Sequence, residues 1–118
     1  MKKYTESHEW IDEAGKVGVT AHALELLGDI VFIELPEEGD ELSVGESIAV
    51  IESHKAASDI YAPVSGTVTA VNQAIVDAPE DIEVTDDLWL FDMTPNNPAD
   101  VDTLMDEAGY KAFIESEV

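Results

Sequence analysis

Short apolar runs separated by turn residues limit this chain to a small set of folds. The runs DIVFIEL, ESIAVIES and IYAPVSGTVTAVN alternate with segments such as PEEGDELSVG, in which Pro, Gly and acidic residues interrupt the apolar pattern. Runs of this length are typical of strands, because a core-facing helix needs a longer stretch at helical spacing. The pattern predicts a sandwich or flattened barrel. Residues 30–33 and 48–51 are almost continuously apolar, so we expect both faces of those strands to be covered.

The segments on either side of this β region predict a hairpin and short helices. At the N-terminal end a hairpin is expected, with Trp10 and Ile11 on one strand, Val17 and Val19 on the next, and a turn at residues 13–15. Thr20 then suits the N-cap of a helix over AHALELL, which should end at Gly28 in a left-handed conformation. Further on, Asn97 and Pro98 predict the start of a helix, and Gly109 is expected to break it before a second short helix, YKAFIES.

Composition favours one acidic domain over residues 1–118. The hydrophobic fraction of 45% is enough for a core, and the absence of cysteine excludes disulfides and thiolate metal sites. A net charge of −22, with five lysines and no arginine, disfavours nucleic acid and anionic membranes as partners. No apolar run is long enough to span a membrane, and we expect a cytoplasmic protein.

Residues that could form a catalytic or metal centre are scattered. His8, His22 and His54 fit no metal-ligand spacing, and Ser65-Gly66 lacks the first glycine of a nucleophile elbow. With 27 acidic residues, any proposed pair of catalytic carboxylates carries little weight against a solvated acidic face. We therefore expect no catalytic residues, no metal site and no enzymatic activity of the chain's own.

Lys55 stands apart because of its setting in the stretch IESHKAASDIYAP. It lies in a turn of small residues between two β runs, and the segments before and after it repeat a common order of Gly, β run, acidic loop and second apolar run. An isolated surface lysine is usually no more than a solvated charge. Here the small neighbours leave the amine open to an acylating enzyme, which uses such an amine as a nucleophile.

Several stretches resemble one known family. ESHKAASDIYAPVSG resembles the lipoyl-attachment hairpin of the glycine cleavage system H protein family, whose pattern is Glu-Ser-x-Lys-Ala-x-Ser-Asp followed by a Pro and a Ser/Thr-Gly. YTESHEW, GVTAHALELLGDIVFIELPEEGD and LMDEAGYKAF are similar to other segments of the family, in the same order. The resemblance implies a single lipoyl-carrier domain that is mainly β with short helices, a barrel-sandwich hybrid with an N-terminal hairpin and C-terminal helices.

The resemblance also implies a function and a site. Lys55 would carry lipoic acid in amide linkage, and the chain would shuttle the aminomethyl group of glycine from glycine decarboxylase (P protein) to an aminomethyltransferase (T protein). Dihydrolipoyl dehydrogenase (L protein) would reoxidise the arm, and a lipoate ligase or octanoyltransferase would attach it. Glu9 and Asp59 match family positions near the loaded arm, although Asp59 also suits a turn.

Two departures from the family pattern stand out. First, His54 stands before the lysine, where the family usually has Val. Second, the segment PEDIEVTDDLWLFDM lacks the family's Pro-Tyr-Gly-like turn and is about two residues shorter than the corresponding loop of the family. The alternative function is an H-like lipoyl or octanoyl donor in lipoate biosynthesis. A lipoyl domain of a 2-oxo acid dehydrogenase, a biotinyl domain and a purely structural acidic protein fit the residues less well.

Overall fold

Two β-sheets and short helices make up the structure. The computed structural model describes residues 2–82, 85 and 88–116. The strands are β1 (Lys3–Tyr4), β2 (Glu9–Ile11), β3 (Lys16–Val19), β4 (Ile30–Glu34), β5 (Glu41–Leu42), β6 (Ser47–Ser53), β7 (Ala57–Tyr61), β8 (Gly66–Val71) and β9 (Trp89–Pro95). The helices are α1 (Ala21–Leu27), α2 (Gln73–Asp77) and α3 (Glu107–Ser116), with 3-10 segments at Pro79–Asp81 and Pro98–Thr103.

The sheets share one apolar core. One sheet has the strand order β1-β2-β3-β9-β8-β5 and the other the order β4-β6-β7, and every pairing is antiparallel. Inward-facing side chains of both sheets meet in a single buried cluster that includes Val17, Ile51, Val68 and Phe91. The mainly β fold with an N-terminal hairpin and C-terminal helices is therefore confirmed. None of the described helices is long and apolar enough to cross a membrane.

The N-terminal predictions hold with one adjustment. The β2–β3 hairpin and α1 lie where the sequence places them, and the Thr20 hydroxyl accepts a hydrogen bond from the Ala23 amide at 3.4 Å. The Gly28 amide donates to Leu24 O at 3.3 Å and closes the helix. Gly28 has φ 84° but ψ −146°, so it takes a positive-φ conformation that only glycine readily adopts rather than the expected left-handed helical one.

The expectation that residues 30–33 are covered on both faces is wrong. Among the described strands, β4 pairs only with β6, and the register shifts between Ile30 and Phe32, as in a β-bulge. Ile30 and Ile33 are buried, but Val31 is 40% exposed and Phe32 is 46% exposed. An edge strand with a bulge thus carries two adjacent apolar side chains on the surface.

Two further predictions need correction in the connecting segments. The stretch after β8 was expected to be a loop but forms helix α2, and β5 lies within the expected turn segment PEEGDELSVG. The segment before Trp89 falls partly outside the described residues, so the expected shortening there is not addressed by the structure.

The first C-terminal helical segment begins where expected but differs in type and length, and the second begins earlier than expected. The Asn97 side chain does cap the segment that starts at Pro98, by accepting from the Ala99 amide at 3.2 Å, but that segment is 3-10 and ends at Thr103. Gly109 does not break a helix: it lies inside α3, where its amide donates to Asp106 Oδ1 at 2.8 Å. The Asp106 side chain therefore acts at the N-terminus of α3, and Gly109 lies in its first turn.

Candidate functional site

Lys55 lies in the turn that joins β6 to β7, as predicted, and its side chain is exposed. The turn is closed by the Ser53 amide, which donates to Ala56 O at 2.8 Å. The Ser53 hydroxyl accepts from the amides of Lys55 and Ala56, each at 3.2 Å, and donates to Ala56 O at 3.2 Å. A short polar side chain at this position satisfies backbone groups that have no partner in the strand ladder. The sequence "SHKA" thus orders the backbone around the lysine.

The Lys55 side chain extends over the end of helix α1. A Cβ added at Gly28 would lie 3.1 Å from Lys55 Cε and 3.6 Å from Lys55 Nζ. Among the described residues, no carboxylate lies within ion-pair distance of this ammonium group. The amine is therefore accessible, and the absence of a side chain at Gly28 gives the lysine stem its room.

The two departures from the family pattern meet beside this turn. A cleft of about 360 Å³ adjoins the Lys55 turn, and it is lined by Gly28, Asp29, Ile30, Val31, His54, Pro79, Glu80 and Ile82. His54 comes from the hairpin tip, whereas residues 79–82 begin the remodelled segment. Sequence positions about 25 residues apart, as counted along the chain, thus contribute to one surface next to the lysine.

Glu9 is a buried carboxylate. It is 0% exposed in β2, and its Oε1 accepts hydrogen bonds from the hydroxyls of Thr5, at 2.7 Å, and Ser7. Its Oε2 accepts from the Tyr61 amide at 3.3 Å. Burial raises the pKa of the Glu9 carboxyl, and the hydrogen bonds from Ser7, Thr5 and Tyr61 oppose that rise.

A cleft of about 480 Å³ opens beside Glu9. It is lined by Tyr4, Thr5, Glu6, Ser7, Glu9, Val44, Gly45, Tyr61, Ala62, Pro63, Thr103, Leu104 and Met105. Asp59 does not line this cleft. It lies two residues before Tyr61 on β7, on the exposed face, and pairs with Val50. The structure thus places Glu9 in the cleft and Asp59 between that cleft and the Lys55 turn.

One polar cluster was not found from the sequence. The Tyr110 hydroxyl lies 2.8 Å from His8 Nδ1 and 2.7 Å from Thr20 Oγ1, and the Tyr110 ring stacks on Tyr4 with centroids 4.6 Å apart. His8 has a positive φ of 75°, which is uncommon for a residue with a side chain. The cluster joins α3 to the start of α1. The sequence predicted the position of Thr20 as a helix cap but not its contact with Tyr110, because the members of the cluster are far apart in sequence.

Metal-ligating side chains do not converge in the described part of the chain. No group of three or more His, Asp or Glu side chains there could hold a metal ion.

Comparison with known proteins agrees with this geometry. The family model of the glycine cleavage H-protein matches residues 2–117. The chain belongs to that family. It is 54% identical to the glycine cleavage system H protein of Shewanella woodyi, over 98% of this chain and 94% of the relative. It is 48% identical to glycine cleavage system H protein 2 of Pseudomonas aeruginosa, over 98% and 93% of the two chains.

A solved H-protein structure shows the same architecture. The crystal structure of a glycine cleavage system H protein from Mycobacterium marinum superposes with a TM-score of 0.85 at 38% identity, and it covers 99% of this chain and 97% of that chain. This agreement confirms the expected fold class, a barrel-sandwich hybrid of the H-protein type. The resemblance seen in YTESHEW and ESHKAASDIYAPVSG therefore extends through the whole domain.

Proposed function

We propose that the chain is the lipoyl-carrying H protein of a glycine cleavage system, with lipoic acid attached to Lys55. The observation that carries the proposal is the accessible Lys55 amine at the tip of an ordered turn, in a chain that matches the H-protein family over residues 2–117. The names of its relatives favour this role over the alternative of a lipoyl or octanoyl donor in lipoate biosynthesis.

The residues around Lys55 suit amide formation. The neutral amine attacks the carbonyl carbon of an activated acyl group, the bond to the leaving group breaks, and the nitrogen loses a proton. Ala56 and Ala57 are exposed and small, so the active site of a lipoate ligase or octanoyltransferase can close around the lysine stem. Acylation removes one positive charge and takes the formal net charge from −22 to −23.

A bound lipoyl group would supply a disulfide that accepts the aminomethyl group formed by glycine decarboxylase, yields it to the aminomethyltransferase and is regenerated by dihydrolipoyl dehydrogenase. The chain itself contributes no reacting group and serves as the carrier. Attachment at a hairpin tip keeps one arm within reach of each enzyme in turn, which raises its effective concentration in each active site. We place this cycle in the cytoplasm, with no nucleic acid or membrane as partner.

We further propose that β7 guides the loaded arm to the cleft beside Glu9. Ala57, Asp59 and Tyr61 share the exposed face of β7, because they alternate with the half-buried Ser58 and the buried Ile60. The four steps from residue 57 to residue 61 span about 13 Å. Asp59 lies on this path, and the Glu9 carboxylate lies where the path ends. A cationic aminomethyl group is favoured beside either carboxylate. Near Glu9 its positive charge would lower the pKa of the carboxyl group, which burial raises.

Intact mass of the purified chain tests the attachment site. Expressed with lipoate and an acylating enzyme, the chain should gain the mass of one lipoyl group, and Lys55→Arg should gain none. Lys111→Arg is the matched control, because Lys111 is also exposed but lies in α3, and it should be modified like the wild type. A mass increase that persists in Lys55→Arg would rule out Lys55 as the site.

The cycle itself needs a separate measurement. The lipoylated chain is incubated with glycine decarboxylase, glycine and labelled bicarbonate, beside a competent H protein as positive control. Exchange of the label into glycine is expected. If the chain is lipoylated on Lys55 but supports no exchange while the control does, the glycine-cleavage role is rejected.

A further inference from the structure

The surface beside Lys55 combines exposed apolar side chains with a carboxylate rim. Val31 is 40% exposed, Phe32 is 46% exposed and Leu26, in the last turn of α1, is 67% exposed. Asp29 and Glu80 are exposed as well, and both line the same cleft as Val31. Several exposed apolar side chains within a short segment, next to carboxylates, are typical of a protein interaction site.

Local backbone geometry explains why these apolar residues face solvent. The β4 bulge shifts the register between Ile30 and Phe32, so that Val31 and Phe32 both leave the core. Bulges near active sites commonly redirect a side chain in this way. The exposed pair is therefore built into the backbone of the edge strand.

This surface is continuous with the amine that reacts. Ile30 pairs with Ser53, the residue that orders the Lys55 turn. Gly28, over which the Lys55 stem lies, also lines the cleft that contains Val31. The Lys55 turn and the exposed residues of β4 therefore both adjoin the N-terminal end of β4. A protein that brings its active site to Lys55 Nζ must come close to this surface.

We propose that Leu26, Val31 and Phe32 form the apolar centre of the surface on which the Lys55-acylating enzyme docks, with Asp29 and Glu80 facing basic side chains of that enzyme. The inference rests on the proposed acylation of Lys55. The acylating enzyme is the partner that must reach Nζ itself, whereas the enzymes of glycine cleavage act at the far end of the arm. The chain has a net charge of −22, so its surface is electrostatically complementary to an enzyme with basic side chains around its active site.

The apolar centre is tested by acylation kinetics with purified lipoate ligase, lipoate and ATP. The double variant Val31→Ser/Phe32→Ser is expected to raise KM for the chain about tenfold and to leave kcat within about twofold, as for loss of a buried contact in a docking surface. The matched control is Ala112→Ser, which also replaces an exposed apolar side chain by serine but lies in α3, outside both clefts. It should behave like the wild type.

The charged rim gives a second test that does not alter apolar packing. Asp29→Asn/Glu80→Gln should raise KM about threefold at low ionic strength, and the effect should largely vanish at about 1 M salt, where screening acts within a few ångströms. Asp102→Asn/Glu115→Gln changes the net charge equally at exposed positions in the C-terminal region and should have a smaller effect.

The outcomes separate this inference from the proposed function. If the wild-type chain is not acylated on Lys55, the proposed function fails and the docking surface has no role to explain. If the wild type is acylated and the folded Val31→Ser/Phe32→Ser variant keeps the wild-type KM, the docking surface is wrong while the carrier role stands. Should that variant not fold, as judged by circular dichroism, an unchanged KM in Asp29→Asn/Glu80→Gln would overturn the proposal instead.

Discussion

Replacing Ser53 by alanine tests whether the order of the Lys55 turn matters for its modification. The Ser53 hydroxyl makes three hydrogen bonds at 3.2 Å to the backbone of Lys55 and Ala56. The turn remains closed in the variant, because the bond from the Ser53 amide to Ala56 O at 2.8 Å does not involve the side chain. The substitution therefore loosens the backbone around Lys55 without removing the hairpin.

The magnitude follows from the exposure of these bonds. Water can replace them in the variant, so each is expected to contribute about 0.5 kcal/mol, the low end for a protein hydrogen bond, and the three together about 1–1.5 kcal/mol. A chain of 118 residues has an unfolding entropy of about 0.25 kcal/mol/K, which converts this loss to a fall in Tm of about 4–6 °C. If the acylating enzyme binds only the ordered turn, kcat/KM for acylation falls by about five- to thirteenfold.

Two measurements check this prediction. Thermal unfolding followed by circular dichroism gives the change in Tm, and intact mass against time gives the acylation rate. Ser47→Ala is the matched control, since Ser47 is exposed at the opposite end of β6 and its hydroxyl makes no hydrogen bond to the described residues. Ser53→Thr keeps a hydroxyl and should therefore have a Tm and an acylation rate close to those of the wild type. A Ser53→Ala chain that melts and is acylated like Ser47→Ala would refute the ordering role of the hydroxyl.

Two other substitutions probe the buried polar groups. Tyr110→Phe should lower the free energy of unfolding by about 1–3 kcal/mol, because the buried Thr20 hydroxyl loses a partner, and Tm should fall by about 4–12 °C. The control Tyr61→Phe removes the hydroxyl of a partly exposed ring and should change Tm little. Equal changes in Tm for the two variants would contradict a stabilising role of the Tyr110 hydroxyl. For Glu9, burial raises the pKa above 4.5, so the folded chain holds that proton more tightly than the unfolded chain. Its contribution to stability is present below pH 4.5 and is lost as the pH rises through the folded pKa, with a slope of at most about 1.4 kcal/mol per pH unit. Urea unfolding at several pH values should therefore show wild-type stability declining relative to Glu9→Gln over that window, and a constant difference would contradict the effect of burial.

Features set by neighbouring residues could be predicted from the sequence. The cap at Thr20, the positive φ of Gly28 and the turn at Lys55 depend on a few consecutive side chains, so their signals are local. Gly109 was misjudged because glycine is only a weak helix breaker, and the Asp106 side chain together with packing of α3 outweighs its low helix propensity.

Features set by pairing between distant segments could not be predicted. A run such as DIVFIEL indicates a strand but not which strand pairs with it, and the β4 bulge that exposes Val31 and Phe32 appears only when β4 meets β6. Likewise, Lys55 could be singled out from its own turn, whereas the hydrogen bond between Glu9 and Tyr61 needs two segments that are 52 residues apart. The position of Lys55 in an exposed turn was therefore predictable from the sequence, but the two clefts were not.

The acidic composition offsets a risk that the exposed apolar pair of β4 creates. An edge strand with adjacent apolar side chains invites pairing with a second copy of the chain, which most proteins prevent with bulges and charge. This chain has both: the bulge between Ile30 and Phe32 distorts the edge, and a net charge of −22 makes copies repel one another. The same charge attracts a partner with a basic rim and speeds its encounter with the surface beside Lys55. Acidity thus disfavours self-association at this surface, which would then remain open to the proposed docking of an enzyme with a basic rim.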